Sequence, residues 1–198
     1  MATKYHALRT TTLDHSITYC RPAFETQQVT PDDPAISVMT DLRKTKAITI
    51  RPDTLLDDCN QHMIRNNVRL LLVTDALRNV EGIITARDVL GEKPMLLIQK
   101  TGVTRQEIQV RDIMTPTSSL EAVSLEDVEN ARVGDIVEDL ISKGRHHALV
   151  ICGDPKQSSA MICGIFSATQ IGKKIGAPIE PADIAKTFAE LEKIIVAQ

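Results

Sequence analysis

The chain has 198 residues, of which 42% are hydrophobic and 25% charged, and its formal net charge is -3 at pH 7. This composition is ordinary for a soluble globular protein, and the length suits one large domain or two small ones. Aromatic residues make up only 3%. With no basic field and few rings for base stacking, nucleic-acid binding is not expected.

Membrane insertion and secretion are not expected either. No apolar run reaches the ~20 residues of a membrane-spanning helix, and residues 1–30 show no hydrophobic signal-peptide segment. The four cysteines form no CxxC pair and no cluster with histidine, so no metal site is predicted. We expect a cytoplasmic protein with reduced thiols, in which Cys152 and Cys163 could face each other across a hairpin.

The elements of the first half follow one another closely. Residues 1–33 are expected to form an extended arm, and the alternating residues 47–50 predict a strand. A helix follows, which Asp53 or Thr54 could cap. Its apolar residues recur at helical spacing: Leu55, Leu56, Cys59, Met63 and Ile64. Asn66 and Asn67 are expected to end it, because Asn tolerates a left-handed backbone.

Two strands, over residues 70–73 and 81–85, are expected to form a hairpin, and a second helix is predicted to begin at Ala86. Residues 91–112 connect this unit to a second copy of it. The copy is visible in three matched pairs of segments: 37–40 with 112–115, 61–75 with 138–152, and 82–88 with 164–170.

The second copy predicts the same elements. A strand over 121–125 precedes a helix with apolar residues at Val133, Ile136, Val137, Leu140 and Ile141, which ends at Lys143-Gly144. Strands over 148–152 and 161–167 lead to a helix beginning at Ala168. The tail 183–196 carries an apolar stripe of Ile184, Phe188, Leu191 and Ile195, which favours an amphipathic helix and a homodimer.

The segment GIITARD, Gly82 to Asp88, is the strongest functional signal. Gly82 permits close approach of a backbone, and Thr85 stands at a strand-to-helix corner where free N–H groups favour a phosphate. Asp88 lies on the same face of the first turn and could accept from both ribose hydroxyls. The alternative is an ordinary capping box, since Thr and Asp are common at helix starts.

The chain resembles tandem CBS-domain proteins (named after cystathionine β-synthase) over roughly residues 34–175. GIITARD matches the family's ligand motif, the VMT and IMT segments resemble its domain entries, and RLLLVTD resembles its second strand, although Leu71 replaces the usual proline. The resemblance implies an α/β fold of two tandem CBS domains. Each would be strand-helix-strand-strand-helix, and the two would pack as a pseudo-two-fold pair. The expected boundaries are 1–33 arm, 34–95 first domain, 96–110 linker, 111–176 second domain and 177–198 C-terminal amphipathic helix.

The resemblance also implies further site residues. Adenine would lie against the residues entering the first strand, Lys46, Ala47 and Ile48, and phosphates would meet basic groups at Arg69, Arg145 and His146; Arg87 is a further candidate. The second copy keeps Gly164 and Ser167 of the motif, but Gln170 replaces the aspartate. One good site and one weak or vacant site are therefore expected.

The function so predicted is a regulatory, signal-transducing Bateman module that binds AMP, ADP or ATP and acts on a protein partner in trans. No catalytic motif such as GxSxG, HExxH or a Walker sequence is present, so an enzyme is not expected and no cofactor is required. Two alternatives remain open: a structural dimerisation module with empty sites, and a binder of S-adenosylmethionine.

Overall fold

The structure is a computed structural model, and it describes residues 7–15, 17–20, 29–154 and 160–180. The predicted tail helix over 183–196 lies outside these residues. Residues 7–15 and 17–20 form no helix or strand. A short 3-10 helix over Ala35–Val38 opens the ordered fold.

The first repeat has the predicted order of strand, helix, strand, strand, helix. Its elements, with the entry strand β1 first, are β1 (Thr40–Asp41), β2 (Thr49–Ile50), α1 (Leu56–Arg65), β3 (Leu70–Thr74), β4 (Val80–Thr85) and α2 (Ala86–Leu90). Helix α1 ends at Asn66, and Asn67 has a positive φ of 51°, as predicted for its C-terminus.

The second repeat has the same order with one extra helix, α5. The connecting elements are α3 (Lys93–Thr101), α4 (Val110–Ile113) and β5 (Thr115–Pro116), with short 3-10 helices over Arg105–Glu107 and Thr117–Ser119. The repeat itself comprises β6 (Ala122–Ser124), α5 (Leu125–Asn130), α6 (Val133–Ser142), β7 (His147–Cys152), β8 (Met161–Ser167) and α7 (Ala168–Ile175). Helices α2 and α7 begin at the predicted residues, and the α/β fold of two matched units is confirmed.

The two repeats exchange their entry strands. One sheet has the order β2-β3-β4-β5 and the other β1-β8-β7-β6. Strand β5, which leads into the second repeat, pairs antiparallel with β4 of the first, while β1 pairs antiparallel with β8 of the second. The exchange is reciprocal, so each sheet is completed by a strand that precedes the other repeat.

Each repeat has its own aliphatic core, and each core includes side chains from the segment that precedes the other repeat. The first is formed by residues of the first repeat together with Ile108, Val110 and Ile113 of the connecting segment. The second contains Phe166, which is fully buried, together with Ala35, Val38 and Met39 from the segment before the first repeat. Burial of these side chains at about 25 cal/mol per Å² is the main force holding the repeats together.

The predicted cap of α1 is wrong. The helix begins at Leu56, its N-cap is Leu55, and no side chain accepts a hydrogen bond there. The backbone of the connecting segment supplies the partners instead: Leu56 N–H donates to the Ile108 carbonyl at 2.9 Å. Because this pairing is long-range, the local preference of Asp53 or Thr54 for a cap position does not decide where the helix starts.

Because of the exchanged strands, we expect alanine to destabilise the protein to different extents at two matched glycines, Gly82 and Gly164. A Cβ on Gly82 would overlap the backbone carbonyl of Thr115 in β5, whereas a Cβ on Gly164 would meet the side chain of Met39. A thioether chain can rotate away, but a paired strand cannot. Gly82→Ala should therefore lower the free energy of unfolding by about 1–3 kcal/mol, and Gly164→Ala by clearly less. Urea denaturation checks this, and equal losses would contradict it.

Candidate functional site

A cavity of about 870 Å³ lies between the two repeats. The first repeat contributes the end of β4 and the start of α2, and the second contributes the segment before β6 and the start of β7. The polar residues that line it include Arg69, Thr85, Arg87, Asp88, Ser119, Glu121, Arg145, His146, His147 and Thr169. Its size falls in the range of small-molecule and cofactor pockets.

Thr85 and Asp88 form a complete capping box at the start of α2. The Thr85 hydroxyl and backbone N–H both donate to Oδ2 of Asp88, at 2.6 and 2.8 Å, and the Asp88 N–H donates to the Thr85 oxygen at 3.3 Å. The box fixes the carboxylate at the cavity wall, with only 11% of the side chain exposed. The capping box thus consists of the two residues that the sequence predicts to contact a ligand.

The other carboxylate oxygen of Asp88 contacts Lys93. The Lys93 ammonium lies 2.5 Å from Oδ1 and also donates to the Ile113 carbonyl at 3.3 Å. Lys93 is the first residue of α3 and does not line the cavity. The sequence analysis did not single it out, because its partner lies across a helix-to-helix corner. Lys93 orients the Asp88 carboxylate from behind the site.

Basic groups from both repeats meet across the cavity. Arg69 precedes β3, and Arg145 and His146 precede β7. The Arg87 guanidinium lies 3.3 Å from Nε2 of His146, and Arg145 donates to Glu121 at 2.8 Å. Arginine keeps its charge at any physiological pH, so three guanidinium groups at one cavity favour an anionic ligand group such as a phosphate.

His147 stays neutral at the cavity wall. Burial, with a smaller effect from the positive charges of His146 and Arg69, lowers the pKa of His147 to about 4. His147 is the first residue of β7, His146 directly precedes the strand, and both line the cavity. Among the described residues, no group of three or more His, Cys, Asp or Glu could hold a metal ion.

The residues expected to contact adenine lie elsewhere. Lys46, Ala47 and Ile48 do not line the cavity, and their counterparts in the second repeat, 119–121, do. The strand register shows which residues correspond in the two repeats. Thr49 pairs with Leu72 in the first repeat and Ala122 pairs with Leu149 in the second, so residues 46–48 correspond to 119–121. The entry segment of the second repeat thus lines the same cavity as the Thr85–Asp88 motif of the first. Ser119, Leu120 and Glu121 were not predicted from the sequence as lining residues, because this placement depends on how the two repeats pack.

The remaining motif residues lie away from the cavity lining. Gly82 faces β5, while Gly164, Ser167 and Gln170 belong to the second copy. The Ser167 side chain makes no cap hydrogen bond, and Gln170 is exposed on α7. The second copy therefore has no equivalent of the Thr85–Asp88 capping box.

Comparison with known proteins gives a family and a fold. A family model for the CBS domain matches residues 29–94. The chain is similar to the CBS domain pair of protein MJ0100, solved in complex with 5'-methylthioadenosine and S-adenosyl-L-methionine. The identity is 15% and the TM-score 0.50, over 74% of this chain and 98% of that one. Residues 29–94 therefore form a CBS domain, and the two repeats together have the fold of a CBS domain pair.

The CBS pair is also similar to an uncharacterized conserved protein from Pyrococcus horikoshii. The identity is 21% and the TM-score 0.52, over 78% of this chain and 100% of that chain. The family model covers the first repeat, and the likeness in structure extends the fold to the second. Among curated proteins, none matches the sequence. In the part of the chain that the structure describes, no helix has the length and apolarity to cross a bilayer.

Proposed function

We propose that this CBS pair is a regulatory module that binds an adenine nucleotide, AMP, ADP or ATP, in the cavity between its repeats. The observation that carries the proposal is the pairing of one fixed carboxylate, Asp88, with cationic groups from both repeats at one cavity. A carboxylate accepts hydrogen bonds from a ribose diol, and guanidinium groups bind phosphate oxygens. A nucleotide carries both groups in one molecule.

The positions of these groups fit one orientation of the ligand. Asp88 would accept from the ribose hydroxyls, and the Thr85 hydroxyl and Arg87, on the same corner, would face the phosphates. Arg145 and His146 approach from the second repeat. Leu120, together with Ile83 and Leu149, provides apolar wall for the base. The ligand would thus contact both repeats at once.

The proposal that the ligand contains adenosine is also supported by a structural neighbour. The CBS pair of MJ0100 was solved with two adenosine compounds, one of which is S-adenosyl-L-methionine. That ligand carries no phosphate: its one anionic group is a carboxylate, and its sulfonium would add a positive charge to a cavity lined by Arg87 and Arg145. The three guanidinium groups at the cavity favour a nucleotide over a sulfonium compound.

The contacts of Asp88 favour a second candidate, a structural dimerisation module whose sites stay empty. Both carboxylate oxygens already have partners, in Thr85 and Lys93, so the residue has a role without a ligand. A carboxylate oxygen has room for further donors, and for that reason the nucleotide remains our first choice.

Binding would act through the relative position of the repeats. A ligand that contacts both repeats favours the arrangement in which both sets of contacts are made, and it shifts the population by its difference in affinity. No catalytic motif accompanies the cavity, so we propose that the output is a contact with a separate protein, made by a homodimer of this chain.

Nucleotide binding is expected to raise the melting temperature. A ligand at 100 times its Kd stabilises the folded state by about 2.7 kcal/mol, which corresponds to about 5–10 °C for a chain of this size. Thermal shift and calorimetry with AMP, ADP, ATP, adenosine and S-adenosylmethionine would rank the candidates. We expect nucleotides to exceed adenosine, because adenosine lacks the phosphates that Arg87 and Arg145 would bind.

Two outcomes would redirect the assignment. Equal shifts with adenosine and AMP would remove the phosphate role of the guanidinium groups. No shift with any compound at millimolar concentration would favour the structural module. Mass spectrometry of small molecules released from the purified, denatured protein gives an independent reading of the ligand.

A further inference from the structure

Two cysteines lie on one hairpin of the second repeat, away from the cavity. Cys152 is the last residue of β7, and Cys163 is the third residue of β8. The strands are antiparallel, and the register pairs Cys152 with Met161. Cys163 is therefore two residues beyond the partner of Cys152, on the same face of the hairpin.

A β-bulge directs the second thiol toward the first. Ile151 pairs with Ile162, whereas Val150 pairs with Gly164, which leaves Cys163 as the extra residue between them. Bulges bend the strand and redirect the extra side chain. Both side chains lie at the second core, where Cys163 is buried and Cys152 packs against it, and the Cys152 thiol donates to the Met161 carbonyl at 3.7 Å.

The two thiols differ in their surroundings. Cys163 is buried in the second core, with 3% of the residue exposed, whereas Cys152 is partly exposed at the hairpin end. Burial, together with the neighbouring Cys152, raises the pKa of Cys163 to about 11. An oxidant from solvent therefore reaches Cys152 before Cys163, and Cys163 is the second thiol needed for a disulfide.

We propose that Cys152 and Cys163 are a redox modification site that forms a reversible intramolecular disulfide with a hydroperoxide as oxidant. The Cys152 thiolate attacks the peroxide oxygen, the O–O bond breaks, and the products are Cys152 sulfenic acid and water or an alcohol. Cys163 then attacks the Cys152 sulfur, the S–O bond breaks, and a second water leaves with the thiol proton. Two thiols lose two electrons and two protons, and the peroxide gains them.

The other cysteines do not share this arrangement. Cys59 is buried in the first core on α1, and Cys20 is exposed before the first repeat. Neither is paired with Cys152 or Cys163 in the described part of the chain. The proposal does not depend on nucleotide binding, because the hairpin residues involved do not line the cavity.

The test is intact-protein mass spectrometry after brief exposure to stoichiometric hydrogen peroxide. We expect a loss of about 2 Da, which dithiothreitol reverses. Trypsin digestion without reductant should then link peptide 146–156 to peptide 157–173, since these contain the two cysteines. Cys152→Ser and Cys163→Ser should each abolish the loss, and the control variants Cys20→Ser and Cys59→Ser should keep it.

Three results would overturn the proposal. One is persistence of the loss in Cys163→Ser, which would mean a different disulfide. Another is a gain of about 32 Da in the parent without any loss, the mark of sulfinic acid and of thiols that cannot reach each other. The last is a linked dimer through Cys20. Both serine variants are near-isosteric, and circular dichroism before oxidation would establish that each is folded.

Discussion

Asp88→Asn should weaken adenine-nucleotide binding by about 10- to 150-fold, because a hydrogen bond to a charged group contributes about 1.5–3 kcal/mol. The amide keeps the size of the carboxylate and one oxygen acceptor, so the Thr85 N–H can still be satisfied. It loses the charge that Lys93 and the ribose hydroxyls would share. Isothermal calorimetry on the parent and the variant measures the change.

The matched control for Asp88→Asn is Gln170→Ala. Gln170 stands at the equivalent position of the second motif, is exposed, and does not line the cavity, so its loss should leave the affinity unchanged. Melting temperatures without ligand separate capping from binding, since an N-terminal carboxylate stabilises its helix by up to about 1 kcal/mol. A folded Asp88→Asn protein that binds as tightly as the parent would reduce the motif to a helix cap.

Stability is expected to fall as the pH drops from 6.5 toward 4, because His147 resists protonation in the folded state. The pKa of His147 is lowered from its ordinary 6.5 to about 4. Between these values the unfolded chain binds a proton that the folded chain does not, so acid favours unfolding. The loss reaches about 3 kcal/mol below pH 4 if His147 is considered by itself.

His147→Gln isolates this contribution. Glutamine is polar, of similar size and does not titrate, so the pH dependence should be shallower in the variant by about 2–3 kcal/mol between pH 7.5 and 4.5. Urea denaturation at the two pH values measures it. At pH 7.5 His147 is neutral, and the comparison there gives the packing cost of the substitution. Parallel pH profiles would show that His147 titrates normally.

The parts of the fold that sequence predicts well are those that local chemistry decides. Helices α2 and α7 begin at the predicted Ala86 and Ala168, because a strand ending in Thr or Ser before a helical pattern marks the corner. The hairpin strands agree within a residue or so, since β-branched alternation is a local signal. Helix α3 was not predicted: residues 93–101 lie in a segment that carries no matched copy in the second repeat.

The residues at the cavity can likewise be divided into those that a local motif predicts and those that only tertiary packing brings there. Thr85, Asp88 and Arg87 are neighbours in sequence, and one motif predicts them together. The entry residues 119–121 reach the cavity only because β5 crosses to the first sheet. Lys93 reaches Asp88 because α3 turns back beside α2. Both positions depend on tertiary packing, and a local sequence pattern does not indicate which sheet a strand will join.

The reciprocal exchange of β1 and β5 has a consequence for the autonomy of the repeats. Removing one repeat together with its entry segment would leave the sheet of the other repeat without its fourth strand and with an unpaired edge. It would also remove apolar side chains from the core of the repeat that remains. We therefore expect that neither half folds by itself and that the two unfold in one cooperative transition. A displacement of one repeat would be transmitted to the other through the paired backbone of the exchanged strands, so a ligand that shifts their relative position would act on both sheets at once.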